Sequence, residues 1–191
     1  AVRTRDHDRA TTALSTLLPG SPRMEQWPLV LLLQSHLLRN TKGAEVALTT
    51  LQQALIQHPQ LKQVSPHLRV TLQARLATLA VYAGHFSAAE AILGQAEIDA
   101  PAIAAAWGRL RLFQRDFAEA HRLFQEVRDQ VPTDDIDADM VLVGALGAYG
   151  AGSKKEGAQL LQWAGQLLVE SSAEGKLRAL PYNVLRDAAT Y

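Results

Sequence analysis

The sequence contains no cysteine among its 191 residues. A disulfide framework, a thiolate metal site and a cysteine nucleophile are therefore excluded. Cytoplasmic and periplasmic proteins can both have such a composition, so it does not decide between these two compartments. We take the cytoplasm as the working assumption.

A long apolar run and an excess of charge of one sign are also missing. The most apolar segment, 29–33, is followed by Gln34, Ser35 and His36, whereas a helix needs about 20 apolar residues to span a bilayer. Lys and Arg together number 19, as do Asp and Glu, so the formal net charge is zero. We therefore expect no membrane insertion and no nucleic acid as the main partner.

Aromatic residues make up only 6% of the chain, while 48% of it is hydrophobic. No segment shows the alternation of a half-buried strand. Apolar residues instead recur three and four positions apart, the stripe of a half-buried helix. This spacing predicts helices over 43–58, 66–83, 87–99, 117–130 and 154–170, and an all-α fold.

One set of small, large and proline positions recurs along the chain. It consists of Phe86, Ala89, Leu93, Ala96 and Pro101, and it returns as Phe117, Ala120, Phe124, Val127 and Pro132. The offset between the two sets is 31 residues at every position (117−86 = 31). The same internal spacing is found in Ala44, Ala47, Leu51, Ala54 and Pro59. Such a repeat predicts stacked helical hairpins.

This layout resembles the tetratricopeptide repeat family, through Gly84, Phe86, Ala89 and Pro101 in one unit and Trp107, Gly108, Phe117, Ala120 and Pro132 in the next. Arg115 stands where the family prefers glycine. The resemblance implies an α-solenoid of antiparallel helix pairs, a TPR-like superhelix with a C-terminal capping helix. We expect a single helical repeat domain over 1–191, with a half repeat at 5–22, repeats at about 27–59, 66–101, 101–132 and 137–170, and a terminal helix at 172–191 that Ser171 or Ser172 caps. The half repeat leads us to expect a fragment of a longer protein.

The resemblance also places the binding surface on the concave face, which the first helix of each pair lines. The expected contact positions are His36, Arg39, Asn40, Thr71, Thr78, Tyr82, Arg109 and Phe113. Some members of the family hold a peptide's terminal carboxylate with paired Lys and Asn, and these pairs are replaced here by Leu32/His36 and Ala74/Thr78. A mixed apolar and basic groove for a peptide or a partner's helix fits better. We expect charge reversal at Arg109 to weaken partner capture without lowering the melting temperature. In an alternative reading, Tyr82 and Phe113 simply pack between repeats.

Other constellations point away from catalysis and cofactors. The acidic cluster Asp134, Asp135, Asp137 and Asp139 resembles a calcium loop, but the required glycine and the final glutamate are missing, and helix capping explains it better. Gly144, Gly147, Gly150 and Gly152 lack the strand and motif of a phosphate cradle and favour a tight helix crossing or a hinge-like helix. We expect no metal, no cofactor and no enzymatic activity.

Together these features predict a non-catalytic interaction module or scaffold that binds a peptide or a partner protein. We expect it to be part of a larger bacterial assembly or export component. Two alternatives stay open. Irregular repeat lengths also suit an effector- or peptide-sensing regulatory domain of a transcriptional activator. The apolar stretch 140–149 would suit self-association.

Overall fold

The computed structural model describes residues 27–59, 65–96 and 100–173, and every regular element within them is helical. The α-helices are α1 (Trp27–Lys42), α2 (Ala44–Gln57), α3 (Pro66–Tyr82), α4 (Phe86–Leu93), α5 (Pro101–Phe113), α6 (Phe117–Gln130), α7 (Ala138–Gly150) and α8 (Lys154–Ala173). A short 3-10 helix, Thr133–Asp135, precedes α7. The predicted all-α class is confirmed.

Two helix ends differ from the prediction. Helix α4 ends at Leu93, well before residue 99, and Gly94 follows as its C-cap residue. Helix α8 continues through Ser171 and Ser172 to Ala173, so neither serine caps a new helix there. The predicted half repeat at 5–22, and the terminal helix beyond residue 173, lie outside the described residues.

Three of the turns between helices have the same backbone conformation. In each, the middle residue has a positive φ, of 81° at Gly84, 64° at Arg115 and 91° at Gly152. The amide of the next residue donates to a carbonyl five residues back, at 2.8 Å for His85 to Ala80, 2.9 Å for Asp116 to Arg111 and 2.8 Å for Ser153 to Ala148. This is the Schellman type of helix end. Glycine suits the middle position, and Arg115 adopts the conformation at a cost of about 1 kcal/mol or more.

The helices pack as two rows. The odd-numbered helices contact one another in succession, since α3 touches α1 and α5, and α5 touches α7. Helices α2, α4 and α6 each pack on the odd helix before and the odd helix after them, and α8 packs on α7. Within each pair, connections of one to three residues leave room only for a direct turn.

The repeated small positions lie at the centre of this packing. Ala47, Ala89 and Ala120 all have 0% exposure, because an alanine lets two helix backbones approach closely. The buried side chains form two clusters, one across α1 to α5 around Leu51 and Leu79 and one across α5 to α8 around Phe124. Helix α5 contributes residues to both clusters.

Three glycines on one face of α7 bring this helix tightly against α6. A Cβ atom at Gly144 would lie 2.4 Å from the Phe124 ring, and one at Gly150 would lie 2.1 Å from the Phe117 ring. At Gly147 the obstacle is backbone, since a Cβ there would lie 2.8 Å from the His121 amide nitrogen. The tight-crossing interpretation of these glycines is therefore confirmed.

We predict that Gly147→Ala lowers the free energy of unfolding by about 1–3 kcal/mol, because the added methyl group meets the backbone of α6 and forces the helices apart. Urea unfolding followed by circular dichroism measures the change. Gly165→Ala is the matched control, since no atom lies within 4 Å of a Cβ at this position on α8. It should raise the stability by about 0.5–1 kcal/mol, as alanine is the better helix former. Equal effects of the two variants would contradict the tight crossing.

Candidate functional site

A groove with a volume of about 410 Å³ runs across the row of odd-numbered helices. It receives side chains from α1, α3, α5 and the start of α7, together with the end of α6 and the loop before α7. The lining residues are Leu32, His36, Arg39, Thr71, Ala74, Arg75, Thr78, Pro101, Ala102, Ala105, Arg109, Val127, Val131 and the segment 135–140.

Five of the eight predicted contact residues line this groove. They are His36, Arg39, Thr71, Thr78 and Arg109. The groove lining does not include Asn40, Tyr82 or Phe113. Asn40 is exposed next to Arg39 and accepts a hydrogen bond from Arg39 Nε at 3.4 Å.

The floor of the groove holds a buried ion pair between α5 and α7. Arg109 Nε donates to Asp139 Oδ2 at 2.7 Å, and Arg109 Nη1 donates to the Ala105 carbonyl at 3.0 Å. Asp137, which is exposed at the start of α7, lies 3.6 Å from Arg109 Nη2. Arg109 itself is only 7% exposed.

The expectation for charge reversal at Arg109 must therefore be corrected. A carboxylate introduced at this position would be buried beside the Asp139 carboxylate, and two buried like charges repel strongly. The substitution would lower the melting temperature, so it cannot report on partner capture alone. Sequence spacing placed Arg109 on the correct face of α5 but did not show that its charge is already neutralised.

Tyr82 connects the ion pair to the helices on the other side of the groove. Its hydroxyl group donates to the Asp139 carboxylate, with distances of 3.1 Å to Oδ1 and 3.0 Å to Oδ2. The Arg39 guanidinium lies 5.0 Å from the centre of the Tyr82 ring, within the range of a cation–π contact. One chain of polar contacts thus links α1, α3, α5 and α7.

Phe113 packs rather than facing the groove. It is 9% exposed, and its ring meets the Tyr82 ring edge-on with 5.9 Å between centroids. At these two positions the structure agrees with the alternative interpretation, in which Tyr82 and Phe113 pack between repeats.

The ion pair fixes the protonation states of its members. Burial alone would raise the pKa of Asp139, but the charge and hydrogen bond of Arg109 hold it below its ordinary value. Burial alone would lower the pKa of Arg109, and the Asp139 carboxylate raises it instead. Burial and the same carboxylate raise the pKa of Tyr82. The pair is therefore charged and the phenol neutral over the physiological range.

Arg75 is the groove residue that sequence reasoning missed. It lies on α3, and its Nε donates to Ser35 Oγ on α1 at 2.9 Å. It follows Ala74, which the sequence spacing had placed at a groove position. An arginine directly beside a predicted groove position on α3 was the available signal.

The capping interpretation of the acidic segment before α7 holds for Asp137 and not for Asp139. Asp137 accepts a hydrogen bond from the Met140 amide at 2.7 Å and so caps α7, while Asp139 pairs with Arg109. No cluster of residues suited to hold a metal ion occurs in the described part of the chain. Within the same residues, no helix is long and apolar enough to cross a membrane.

No protein-family profile, curated protein or solved structure matches the chain.

We predict that Asp139→Asn lowers the free energy of unfolding by about 3–5 kcal/mol, because it leaves the buried Arg109 charge with only the exposed Asp137 carboxylate, 3.6 Å from its Nη2, as a counterion. Chemical unfolding monitored by tryptophan fluorescence measures the loss. Asp135→Asn is the matched control, since Asp135 is exposed in the same segment, and its effect should stay within about 0.5 kcal/mol. If the two variants were equally stable, the ion pair would contribute nothing to the fold.

A second prediction concerns His36, which faces the positive charges of Arg75, Arg39 and Arg109 and the negative charge of Asp139. Desolvation, followed by repulsion from Arg75 and Arg39, lowers its pKa below the ordinary value of 6.5. His36 is nevertheless exposed, so solvent weakens both the desolvation and the repulsion, and the prediction depends only on the direction of the pKa change.

Below a pH of about 6.5, the unfolded chain therefore binds a proton at His36 that the folded chain does not bind. The stability that neutral His36 provides is present above this pH and is lost as the pH falls. The wild type should lose stability relative to His36→Gln between a pH of about 7 and about 5. Urea midpoints of both proteins at several pH values measure the difference. A difference that stays constant with pH would contradict the lowered pKa.

Proposed function

We propose that this chain is a non-catalytic interaction module, an α-solenoid of tetratricopeptide-like helix pairs that holds a segment of a partner protein in the groove across its odd-numbered helices. The groove carries the proposal, because it is lined by side chains from α1, α3, α5 and α7 together. A surface assembled from successive helices is what repeat arrays use to bind extended partners.

The solenoid part of the proposal rests on two regularities. The helices form two rows in which each pair contacts the next. The turn at Gly84, Arg115 and Gly152 has one backbone conformation that returns with each of the last three pairs. Repeated supersecondary units that bury a continuous core between neighbours define solenoid architecture.

The composition of the groove supports a peptide-like occupant. The lining includes apolar side chains such as Val127 and Val131 and charged groups such as Arg39 and Asp137. Such a mixture can bury a partner's apolar side chains and orient its polar groups. A volume of about 410 Å³ holds a few side chains and not a folded domain.

The alternative, an effector-sensing regulatory domain, is favoured by the same volume, which falls within the range of about 300–1,000 Å³ of small-molecule sites. That the module belongs to a bacterial assembly or export component stays a prediction, since it rests only on the amino-acid composition.

A peptide-display selection on the folded protein tests the proposal. Peptides that bind the groove should lose about tenfold or more of their affinity on Ala105→Trp and on Thr71→Trp, because either indole would fill the groove. The matched controls are Ala118→Trp on α6 and Thr49→Trp on α2, both at exposed positions outside the groove lining, and these should keep the affinity.

Circular dichroism melts of all four variants establish that they are folded, and two groove variants protect the test against one that fails to fold. Peptides whose binding is unaffected by both groove variants would place the binding surface elsewhere and overturn the proposal. Sedimentation analysis adds a further outcome. A wild-type dimer that Ala105→Trp converts to a monomer would replace the partner protein with a second copy of the chain.

A further inference from the structure

Arg75 is a buried cation whose hydrogen-bonding capacity is incompletely used. It lines the groove with 8% of its surface exposed, and its Nη2 atom is buried without a hydrogen-bond partner. Its Nε donates to Ser35 Oγ, which is uncharged. A buried polar group without a partner costs free energy, and a buried charge without a counterion costs more. The groove therefore contains a buried hydrogen-bond donor, Arg75 Nη2, that has no acceptor.

A second guanidinium, that of Arg39, also lacks a carboxylate partner among the described residues. Among the described residues, no ion pair joins Arg75 or Arg39 to a carboxylate. The two arginines are close enough to perturb each other, since burial and then repulsion from Arg39 lower the pKa of Arg75 to about 9. The Asp139 carboxylate is engaged by Arg109 and Tyr82. Of three arginines that line the groove, only Arg109 has its charge neutralised.

The surroundings favour a carboxylate over a phosphate or sulfate as the missing acceptor. A planar guanidinium matches a carboxylate with two parallel hydrogen bonds. The other side of the groove carries Asp135 and Asp137, which would repel a dianion more than a monoanion. The apolar wall around Val127 and Val131 can receive the uncharged side chains next to the carboxylate.

We propose that Arg75 and Arg39 form a carboxylate-binding subsite of the groove, which takes an acidic side chain or the terminal carboxylate of a partner's segment. The identity of the occupant as a protein segment rests on the proposed function, whereas recognition of the carboxylate rests on two arginines that have no carboxylate partner among the described residues. An acidic segment bound in the groove would supply a counterion that Arg75 does not have among the described residues, where its buried charge destabilises the unbound protein.

Small blocked amino acids of known charge test the subsite on the whole chain. Acetyl-glutamate methylamide presents a side-chain carboxylate, acetyl-leucine presents a terminal one, and acetyl-glutamine methylamide is the uncharged isostere of the first. Sodium sulfate serves as the tetrahedral dianion, and sodium chloride keeps the ionic strength equal in all samples. Amide chemical shifts in a titration give the dissociation constants and locate the contact.

We expect at least one of the two carboxylate probes to bind saturably with shifts at groove residues, and the relative affinities of the two identify the source of the carboxylate. Arg75→Met, which keeps an unbranched apolar stem and removes the guanidinium, should weaken this binding by about tenfold or more. Arg69→Met is the matched control on the same helix, at an exposed position outside the groove lining, and should leave the affinity unchanged.

A second readout distinguishes a binding arginine from a structural one. Without probe, Arg75→Met should melt at the same temperature as the wild type or higher, because it removes an uncompensated buried charge and Ser35 keeps its hydrogen bond to the Leu32 carbonyl at 2.7 Å. Saturating carboxylate should raise the melting temperature of the wild type and not that of Arg75→Met.

The other outcomes each decide against the subsite. Equal binding of the glutamate and glutamine probes in the groove would retain peptide binding and remove carboxylate recognition. Tighter binding of sulfate than of either carboxylate would assign the arginines to a different anion. The proposal would be overturned if carboxylate binding survived in both Arg75→Met and Arg39→Met, or if no probe bound. In either case, peptides from the display selection that still bind in the groove would leave the proposed function standing.

Discussion

The Asp139 carboxylate makes the contacts on which the row of odd-numbered helices depends. It accepts hydrogen bonds from Arg109 on α5 and Tyr82 on α3, and Arg39 on α1 lies over the Tyr82 ring. Apolar packing between successive helices tolerates small rotations, whereas a buried charge must meet its partner within hydrogen-bonding distance. The network therefore sets how far α3 and α7 lie from each other, and with it the width of the groove.

Local sequence features predicted most of the helical framework. Pro66 and Pro101 start α3 and α5, and Gly84 and Gly152 end α3 and α7 through the left-handed turn. The repeated alanines Ala47, Ala89 and Ala120 identified positions that are fully buried between helices. These features act within one or two helical turns, so spacing in the sequence reveals them directly. The family resemblance indicated which face of the helices would bind a partner, and five of the residues predicted on that face line one groove.

The polar network could not be predicted in the same way. Asp139 is close in sequence to Asp137, and both were read as helix-capping residues, but only Asp137 caps α7. Asp139 is two positions further on, which turns its carboxylate toward α3 and α5. Its partners are 57 and 30 residues away in sequence, so their meeting depends on how the helix pairs stack. The unpaired state of Arg75 depends on the same stacking and leaves no trace in the sequence.

Helix α5 contributes residues to both hydrophobic clusters, and eight of its thirteen residues are buried. Long repeat arrays can lose a terminal unit while the remainder stays folded, because each unit touches only its neighbours. Here the two hydrophobic clusters share helix α5, and removing this helix would expose the buried side chains of both clusters to solvent. Heat should therefore melt the described helices in one cooperative step, and excision of any single helix pair should not yield an independently folded piece.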